Sequence, residues 1–399
     1  MTSTEPQPEP GPTRLPVPLV RIARDWGRIG ITGFGGPPAH ISLLRRLCVE
    51  QRGWIAASEF EDAIATCNLL PGPASTQLAI WCGWRLRRRL GALVAGVCFI
   101  APGLVMILAL TALFLAAHPP LIVLGAAAGA GAAVPAVAVH AAWGLAPPSW
   151  KRIRAGAPDS ARSPRARWIG YALLGGTAAA LIGPYLVLVL IACGLAEVVV
   201  RTRPAVTVRA LLPLALPATA ATGGIAALVW EAFKVGALSY GGGFVIIPLM
   251  QHDAVHTYHW MTNAQFLDAV ALGQVTPGPV VLTTAVVGFA AAGYAGALLA
   301  VAVAFSPSFA FVLLGGPHFD KLRGNARVQA FLTGAGPAVI GAIAGSAIPL
   351  ALALSHGWQY ILLPAAALWL LAARRGVVST LLLAATCGAI AVAAGARVS

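Results

Sequence analysis

The sequence predicts an all-helical, polytopic membrane protein, and three observations support this fold class. Hydrophobic residues make up 58% of the chain and charged residues only 10%, whereas soluble domains carry roughly a quarter charged residues. Three apolar runs, 90–117, 121–146 and 296–316, reach about the 20 residues that a helix needs to cross a bilayer. These runs lack the alternation of polar and apolar residues that membrane barrels require. We expect about ten membrane segments.

The chain starts with a polar, proline-rich stretch. Residues 1–16 contain no apolar segment followed by a small-residue cleavage site, which a signal peptide would require. We therefore interpret this stretch as a disordered tail.

The net charge of +14 is concentrated in short loops between apolar runs. A nucleic-acid footprint would instead lie on a solvated face or an amphipathic helix, so no nucleic-acid partner is expected. Short loops rich in Lys and Arg stay cytoplasmic, and the charge thus predicts orientation. The clearest of these loops are 85–89, 151–167, 201–209, 321–327 and 374–375.

The two halves of the chain are related in sequence. Trp54 matches Trp260 at an offset of 260 − 54 = 206, and after one deletion the offset becomes 205. Chance similarity between apolar segments would not keep one register through Trp, Asp and Pro. The matched pairs include Gly35 with Gly241, Phe60 with Phe266, Asp62 with Asp268, Pro71–Gly72–Pro73 with Pro277–Gly278–Pro279, and Pro102 with Pro307.

The basic residues do not repeat. Residues 85–89 hold four arginines, whereas the matching residues 290–295 carry no charge. By the positive-inside rule the first-half loops are cytoplasmic and the second-half loops are periplasmic, so the repeats are predicted to be inverted. Many secondary transporters are built in this way and bind substrate near the midplane between the repeats.

These patterns predict six segments along the chain. A tail, 1–16, precedes the first repeat, 17–149. A basic cytoplasmic linker, 150–167, and a transmembrane hairpin, 168–225, lead to the second repeat, 226–350. The C-terminal transmembrane segments occupy 351–399.

Each repeat contains a broken apolar segment. Residues 60–70 and 74–84 are each about half a bilayer long at 1.5 Å per residue, and Pro71–Gly72–Pro73 separates them. The pattern predicts a re-entrant hairpin or broken helix, and the matching segment 266–289 enters from the opposite side. Such breaks are the best sequence indication of a transporter's binding site.

The breaks predict a site for an anion. Proline is favoured at the first helical position, so Pro73 and Pro279 are expected to begin half-helices whose N-termini attract anions. The alternative, that Pro and Gly only kink helices for packing, stays open. The predicted substrate-binding residues are Phe34, Gly35, Gly36, Pro71, Gly72, Pro73, Ser75, Thr76, Gln77, Tyr240, Gly241, Gly242, Gly243, Thr276, Pro277, Gly278 and Pro279, with Thr283 and Thr284 as further donors.

Charged residues near the breaks are candidates for coupling to an ion. Asp62 and Asp268 could carry a proton or pair with a basic residue, or merely complement a helix N-terminus. Arg28 and Lys234 could attract a dianion, although their i, i+3 spacing from Asp25 and Glu231 also predicts structural ion pairs. His40 is expected to be packed or hydrogen-bonded.

The motifs described above resemble the chromate transporter family in its two-domain form. In the first half the resemblance rests on GFGGPPAHI with the following WI and F-x-D, and on LLPGPASTQLAIWCGWRLRRRLGALVAG with its trailing APG. In the second half it rests on SYGGGFVIIPLM and on TPGP followed by GALLA. It covers about residues 20–145 and 226–350. The second half departs from the first in reading TPGP for LPGP and in lacking the arginine-rich loop.

The resemblance implies export of chromate across the bacterial inner membrane, conferring chromate resistance and driven by the proton gradient or the membrane potential. Sulfate or another small oxyanion, and a scaffold or sensor, remain as alternatives. Enzyme and ATP-driven classes are disfavoured because the chain lacks HExxH, GxSxG and Walker motifs. We expect no cofactor, metal or catalytic residue. The expected partners are the oxyanion and the lipid bilayer, and a homodimer is left open.

Overall fold

The computed structural model of the chain describes residues 17–68, 70, 72–115, 119–154, 163–181, 186–202, 223–239, 244–315 and 324–397. Every regular element within these ranges is helical. The predicted tail 1–16 lies outside them.

Seven α-helices form the first half of the chain. A π-turn at Arg46–Gln51 extends the second helix. The helices are α1 (Leu19–Thr32), α2 (Pro37–Arg45), α3 (Ala57–Cys67), α4 (Ala74–Phe114), α5 (Leu121–Arg154), α6 (Ser163–Leu181) and α7 (Leu186–Thr202).

The second half follows the same order. A 3-10 turn, Phe244–Ile246, and a π-turn, His252–Thr257, flank its short second helix, and another 3-10 turn, Val280–Leu282, precedes α11. The helices are α8 (Ile225–Leu238), α9 (Ile247–Gln251), α10 (Asn263–Val275), α11 (Thr283–Gly315), α12 (Ala326–Leu352), α13 (Gln359–Ala367), which a π-turn at Leu368–Ala372 extends, and α14 (Val377–Ala393).

Four of the described helical segments are long and apolar enough to cross a membrane: Ala74–Phe114, Leu121–Arg154, Val280–Gly315 and Ala326–Leu352. Two shorter apolar helices, Gln359–Ala372 and Val377–Ala393, accompany them. The predicted all-α polytopic class is confirmed. The number of spans, about ten, stays a prediction.

The longest helices each contain a tight turn at matching positions. In α4 the backbone leaves helical geometry at Arg87 and Arg88, where φ of Arg88 is +52°. In α11 it does so at Ala292 and Gly293, where φ of Gly293 is +62°. Both pairs differ by 205 positions, the offset of the sequence repeat at this point. Each long helix is therefore a half-helix followed by a full helix that turns back.

The loop after the second helix also recurs. The N–H of Trp54 donates to the carbonyl of Cys48 at 2.7 Å, and the N–H of Trp260 donates to that of Ala254 at 2.8 Å. Both pairs match at an offset of 206. The backbone repeats the sequence register, while the repeat boundaries and the inverted orientation stay predictions.

The two halves interlock through small residues. Helix α12 packs against α5, α6 and α7, and α5 also packs against α13 and α14. Gly341 lies against the Ala172 backbone and Gly129 against the Ala384 backbone, which permits the close helix approach common in membrane proteins. The last helices of each half thus pack against the other half.

Candidate functional site

The proline-glycine-proline segments form two tips, one between α3 and α4 and one between α10 and α11. The N–H of Gly72 in the first tip donates to the carbonyl of Ser239, which follows α8, at 2.8 Å. The N–H of Gly278 in the second tip donates to the carbonyl of Gly33, which follows α1, at 3.1 Å. At the repeat offset of 206, Ser239 is the counterpart of Gly33 and Gly278 is the counterpart of Gly72. The two hydrogen bonds are therefore equivalent interactions, one in each half. Each tip is bonded to the opposite half.

The tips require glycine for their backbone conformation. Gly72 has φ of +120° and Gly278 has φ of +110°, a region that costs roughly 1–2 kcal/mol for residues with a Cβ atom. Both glycines are buried. In each tip the glycine thus forms the turn, and the proline that follows it leads into a half-helix.

The full helices of the opposite halves cover the tips. Ser308 Oγ lies 3.1 Å from the position that a Cβ atom on Gly72 would occupy, and the Cα of Gly103 lies 3.8 Å from the equivalent position on Gly278. Gly103 and Ser308 match at an offset of 205. The site is therefore built from both halves, at the crossing of the two tips.

The prolines stand one position earlier than expected. The carbonyl of Pro73 accepts from the N–H groups of Thr76 and Gln77 at 2.9 and 3.0 Å, so Pro73 precedes the first helical residue, Ala74. Pro279 likewise precedes the turn Val280–Leu282. Because only the Pro73 carbonyl enters the first turn, the N–H groups of Ala74 and Ser75 have no intrahelical acceptor.

His40 links the first glycine segment to this half-helix. Its Nε2 lies 2.8 Å from the Gly33 carbonyl and its Nδ1 lies 3.3 Å from Ser75 Oγ. Because a carbonyl only accepts, Nε2 carries the proton, and in the neutral ring Nδ1 accepts from Ser75. The ring also packs edge-on against Phe99 at 5.0 Å. His40 is hydrogen-bonded, as the sequence predicts, and Ser75 is engaged as a donor.

The threonines of the second tip bond to their own helices. Thr276 Oγ1 donates to the Leu272 carbonyl at 2.9 Å, and Thr283 Oγ1 donates to the Val280 carbonyl at 2.8 Å. Thr284 makes the same kind of bond to Val281. These hydroxyl protons are committed to the backbone in this structure, and donation by the threonines to a substrate stays a prediction.

The other predicted site residues differ in how far they are buried. Pro277, Gly278 and Pro279 are buried, as is Gln77. Phe34 is 42% exposed and its N–H donates to Thr32 at 2.9 Å; Gly35 is exposed and Gly36 is partly buried. Five predicted residues lie outside the described ranges: Pro71, Tyr240, Gly241, Gly242 and Gly243.

The charged candidates differ between the halves. Lys234 Nζ lies 2.7 Å from Glu231 in the predicted ion pair and also bonds to Asp253. In the first half Asp25 pairs with Arg52 at 3.9 Å, and no pair with Arg28 forms. The expected Asp25–Arg28 pair is therefore wrong, because the Arg52 guanidinium, lying over the Trp54 ring, is the group that reaches Asp25. Arg28 is exposed.

The two matched aspartates have different environments. Both lie five positions after the first helical residue, so neither complements the first turn of its helix. Asp62 is exposed, whereas Asp268 is 8% exposed and makes no ion pair within the described ranges. Asp268 lies against Gly131 of α5 and lines a cavity of about 520 Å³ together with Pro119, His356 and Gln359.

Sequence reasoning missed four residues at the crossing of the tips: Gly33, Gly103, Ser239 and Ser308. Ser308 carries the clearest signal, because it is a hydroxyl in an apolar run and matches a glycine in the first half. Ser239 directly precedes the predicted segment 240–243. Their roles depend on contacts between the halves, which no local pattern reveals.

The match to a family model decides the relationship. The model described as chromate transporter matches residues 20–199 and 226–392. The chain belongs to the chromate transporter family. The matched ranges extend through α7 and α14, beyond the 20–145 and 226–350 that the motifs cover.

Curated relatives align over most of the chain. A chromate transport protein of Cupriavidus metallidurans is 32% identical over 334 residues, covering 81% of this chain and 80% of its own length. A chromate transport protein of Pseudomonas aeruginosa is 31% identical over 330 residues, covering 81% of this chain and 79% of its own length. An uncharacterized transporter of Methanocaldococcus jannaschii is 26% identical, covering 77% and 78%. No solved structure gives a significant match.

Together with its apolar helices, membership of the chromate transporter family makes this chain a multi-pass protein of the inner membrane. The family is one of transporters rather than enzymes.

Proposed function

We propose that this chain is a secondary transporter that exports chromate from the cytoplasm and thereby confers chromate resistance. The chromate transport proteins that it resembles support the substrate. The observation that carries the proposal is the pair of reciprocal bonds, Gly72 to Ser239 and Gly278 to Gly33. They bring two half-helix starts to the interface between the halves, where inverted-repeat transporters bind substrate.

The tips supply what a tetrahedral dianion needs. The start of α4 presents N–H groups and the positive end of the helix dipole, and the surrounding hydroxyls are neutral. Neutral donors stabilise a bound anion by hydrogen bonds. Because the described residues of the site carry no full positive charge that would hold the anion tightly, the site can release its substrate. Arg28, exposed on α1, would attract the dianion from the cytoplasm.

Asp268 is the residue proposed to couple export to the proton gradient. The predicted orientation places the turns around Pro119 and His356 on the periplasmic side, so the cavity that Asp268 lines would open there. The neighbouring amides are engaged: Gln265 Oε1 accepts from Thr262, and Gln359 Oε1 accepts from Ser355 and His356. Among the described residues that line the cavity, Asp268 is the carboxylate that could take up a proton from the periplasmic side.

His356 is the second titratable side chain among the described residues that line the cavity. Its Nδ1 lies 2.8 Å from Ser355 Oγ. Proton entry at Asp268 would therefore pass beside His356. Asp62 is exposed on the predicted cytoplasmic side and is not proposed to hold the coupling proton.

Sulfate is the second candidate substrate, because it is a tetrahedral dianion like chromate. Uptake of radiolabelled chromate by proteoliposomes containing the purified protein, with competing sulfate, phosphate or nitrate, tests the substrate. We expect saturable chromate uptake and weaker competition by sulfate. Sulfate uptake that added chromate does not affect would contradict the assignment of chromate as the substrate.

A further inference from the structure

We infer that the oxyanion binds at one tip only, the first, and that three buried hydroxyls hold it: Thr76, Ser239 and Ser308. This inference rests on the proposed function and names the ligands of its site. We call these three residues the hydroxyl cluster.

The hydroxyl cluster is buried and has no hydrogen-bond partner in the part of the chain that the structure describes. Each of the three side chains is 0% exposed, and none of the three oxygens has a hydrogen-bond partner among the described residues. Buried hydroxyls are nearly always hydrogen-bonded in folded proteins, since burial without a partner is costly. Three such groups on segments that adjoin one tip indicate that something else binds there.

The three residues of the cluster belong to segments that meet at the first tip. Ser308 Oγ lies 3.1 Å from the position of a Cβ atom on Gly72. Ser239 accepts the N–H of Gly72 through its carbonyl, and Thr76 is the third residue of α4, which begins at this tip. Ser308 thus places its hydroxyl beside Gly72, and Ser239 and Thr76 lie on segments that adjoin the same tip.

The second tip has no such cluster. The counterparts of Ser239 and Ser308 are Gly33 and Gly103, and the counterpart of Thr76 at an offset of 206 is Leu282. None of these three carries a hydroxyl. The threonines that the second tip does have donate to their own helix. The two tips therefore share a backbone conformation, but the hydroxyl donors for an anion lie at the first tip.

The chemistry of the cluster favours a fully ionised tetrahedral oxyanion. All three groups can donate, and the free N–H groups at the start of α4 add further donors. A dianion such as chromate or sulfate has four acceptor oxygens for such donors. Water is the competing occupant, and it would make the cluster irrelevant to affinity.

Substitutions of single hydroxyls test the inference. We expect Ser308→Ala and Thr76→Val to raise the KM for chromate in proteoliposomes about ten- to hundredfold, the effect of losing one hydrogen bond to a charged group. Thr76→Ser keeps the hydroxyl and is expected to have a lower KM than Thr76→Val. Ser306→Ala is the matched control, because Ser306 lies on the same helix, is exposed and donates to Val303 at 2.8 Å.

The outcomes separate this inference from the proposed function. Unchanged KM values in both Ser308→Ala and Thr76→Val would overturn the hydroxyl cluster while chromate transport by the wild type stands. Absence of chromate transport by the wild type would instead overturn the proposed function. If Ser308→Ala does not accumulate in the membrane, the pair Thr76→Val and Thr76→Ser still decides, since equal KM values in the two would contradict the inference.

Discussion

The N–H of Gly72 donates to the carbonyl of Ser239 at 2.8 Å, across the boundary between the two halves of the chain. The N–H of Gly278 repeats this bond to Gly33 at 3.1 Å. Neither tip can leave its place without breaking a bond to the other half. A movement of the halves past each other therefore changes both tips at once, which is the coupling that alternating access requires.

Replacing the tip glycines is expected to abolish transport. Gly72→Ala and Gly278→Ala each place a Cβ atom on a residue with φ above +100°, which costs roughly 1–2 kcal/mol. At Gly72 the added atom also meets the Gln77 side chain and Ser308. Cells carrying either variant should lose chromate resistance, with unchanged amounts of protein in the membrane by immunoblot.

Gly395→Ala is the matched control for these variants. Gly395 has φ of +94° and open space around its Cβ position, so it carries the same kind of strain away from the tips. Loss of resistance in all three variants alike would show that strain, rather than the tips, explains the effect.

The two matched aspartates should respond differently to substitution. Asp268→Asn removes the titratable carboxylate of the cavity, so the stimulation of transport by a pH gradient should disappear. Asp62→Asn changes an exposed side chain and should leave the stimulation nearly intact. Transport in proteoliposomes with and without an imposed pH gradient makes the comparison.

Equal loss of the pH-gradient stimulation in both aspartate variants would indicate that the two aspartates have the same role. It would contradict the assignment of proton coupling to Asp268. Retained stimulation in Asp268→Asn would place the coupling elsewhere.

The buried ion cluster of α8 should matter for stability. Lys234→Met leaves Glu231 and Asp253 close together without their cation, and breaking a buried pair in this way costs about 3–5 kcal/mol. The thermal melting temperature in detergent should fall clearly. Arg45→Met removes an ion pair with Glu61 whose side chains are about half exposed, so it should cost at most about 1 kcal/mol. Similar melting temperatures for the two variants would contradict the account of the α8 cluster.

The inverted orientation predicts opposite accessibility of two matched turns. Arg89 follows the turn in α4, and Tyr294 is its counterpart at an offset of 205; both are exposed. In a cysteine-free background, a membrane-impermeant maleimide should label Tyr294→Cys in intact spheroplasts and Arg89→Cys only after permeabilisation. Labelling of both from the same side would rule out inverted repeats.

The sequence contains enough information for the helices and breaks, because these depend on local composition. The hydropathy of the three long runs predicts three of the four long apolar helices, α4, α5 and α11, and Pro–Gly–Pro predicts the gap between α3 and α4. The offset of 206 also anticipates that the Trp54 and Trp260 loops share their hydrogen bonds.

Contacts between distant segments were harder to predict. The i, i+3 rule favours Asp25 with Arg28, but the fold brings Arg52 to Asp25 because the loop after α2 returns toward α1. The matched positions of Asp62 and Asp268 suggest equal roles, yet only Asp268 is buried against α5. Ser308 lies beside Gly72 because α11 packs against the first tip, a contact that the local sequence does not predict.

Chromate flux in inside-out membrane vesicles tests the central claim most directly. In such vesicles the cytoplasmic face is outside, so export appears as uptake. We predict saturable chromate uptake that increases when the lumen is made acidic relative to the medium, since protons then enter from the periplasmic side. Uptake that does not exceed that of vesicles lacking the protein, or chromate movement only in the opposite direction, would contradict the account.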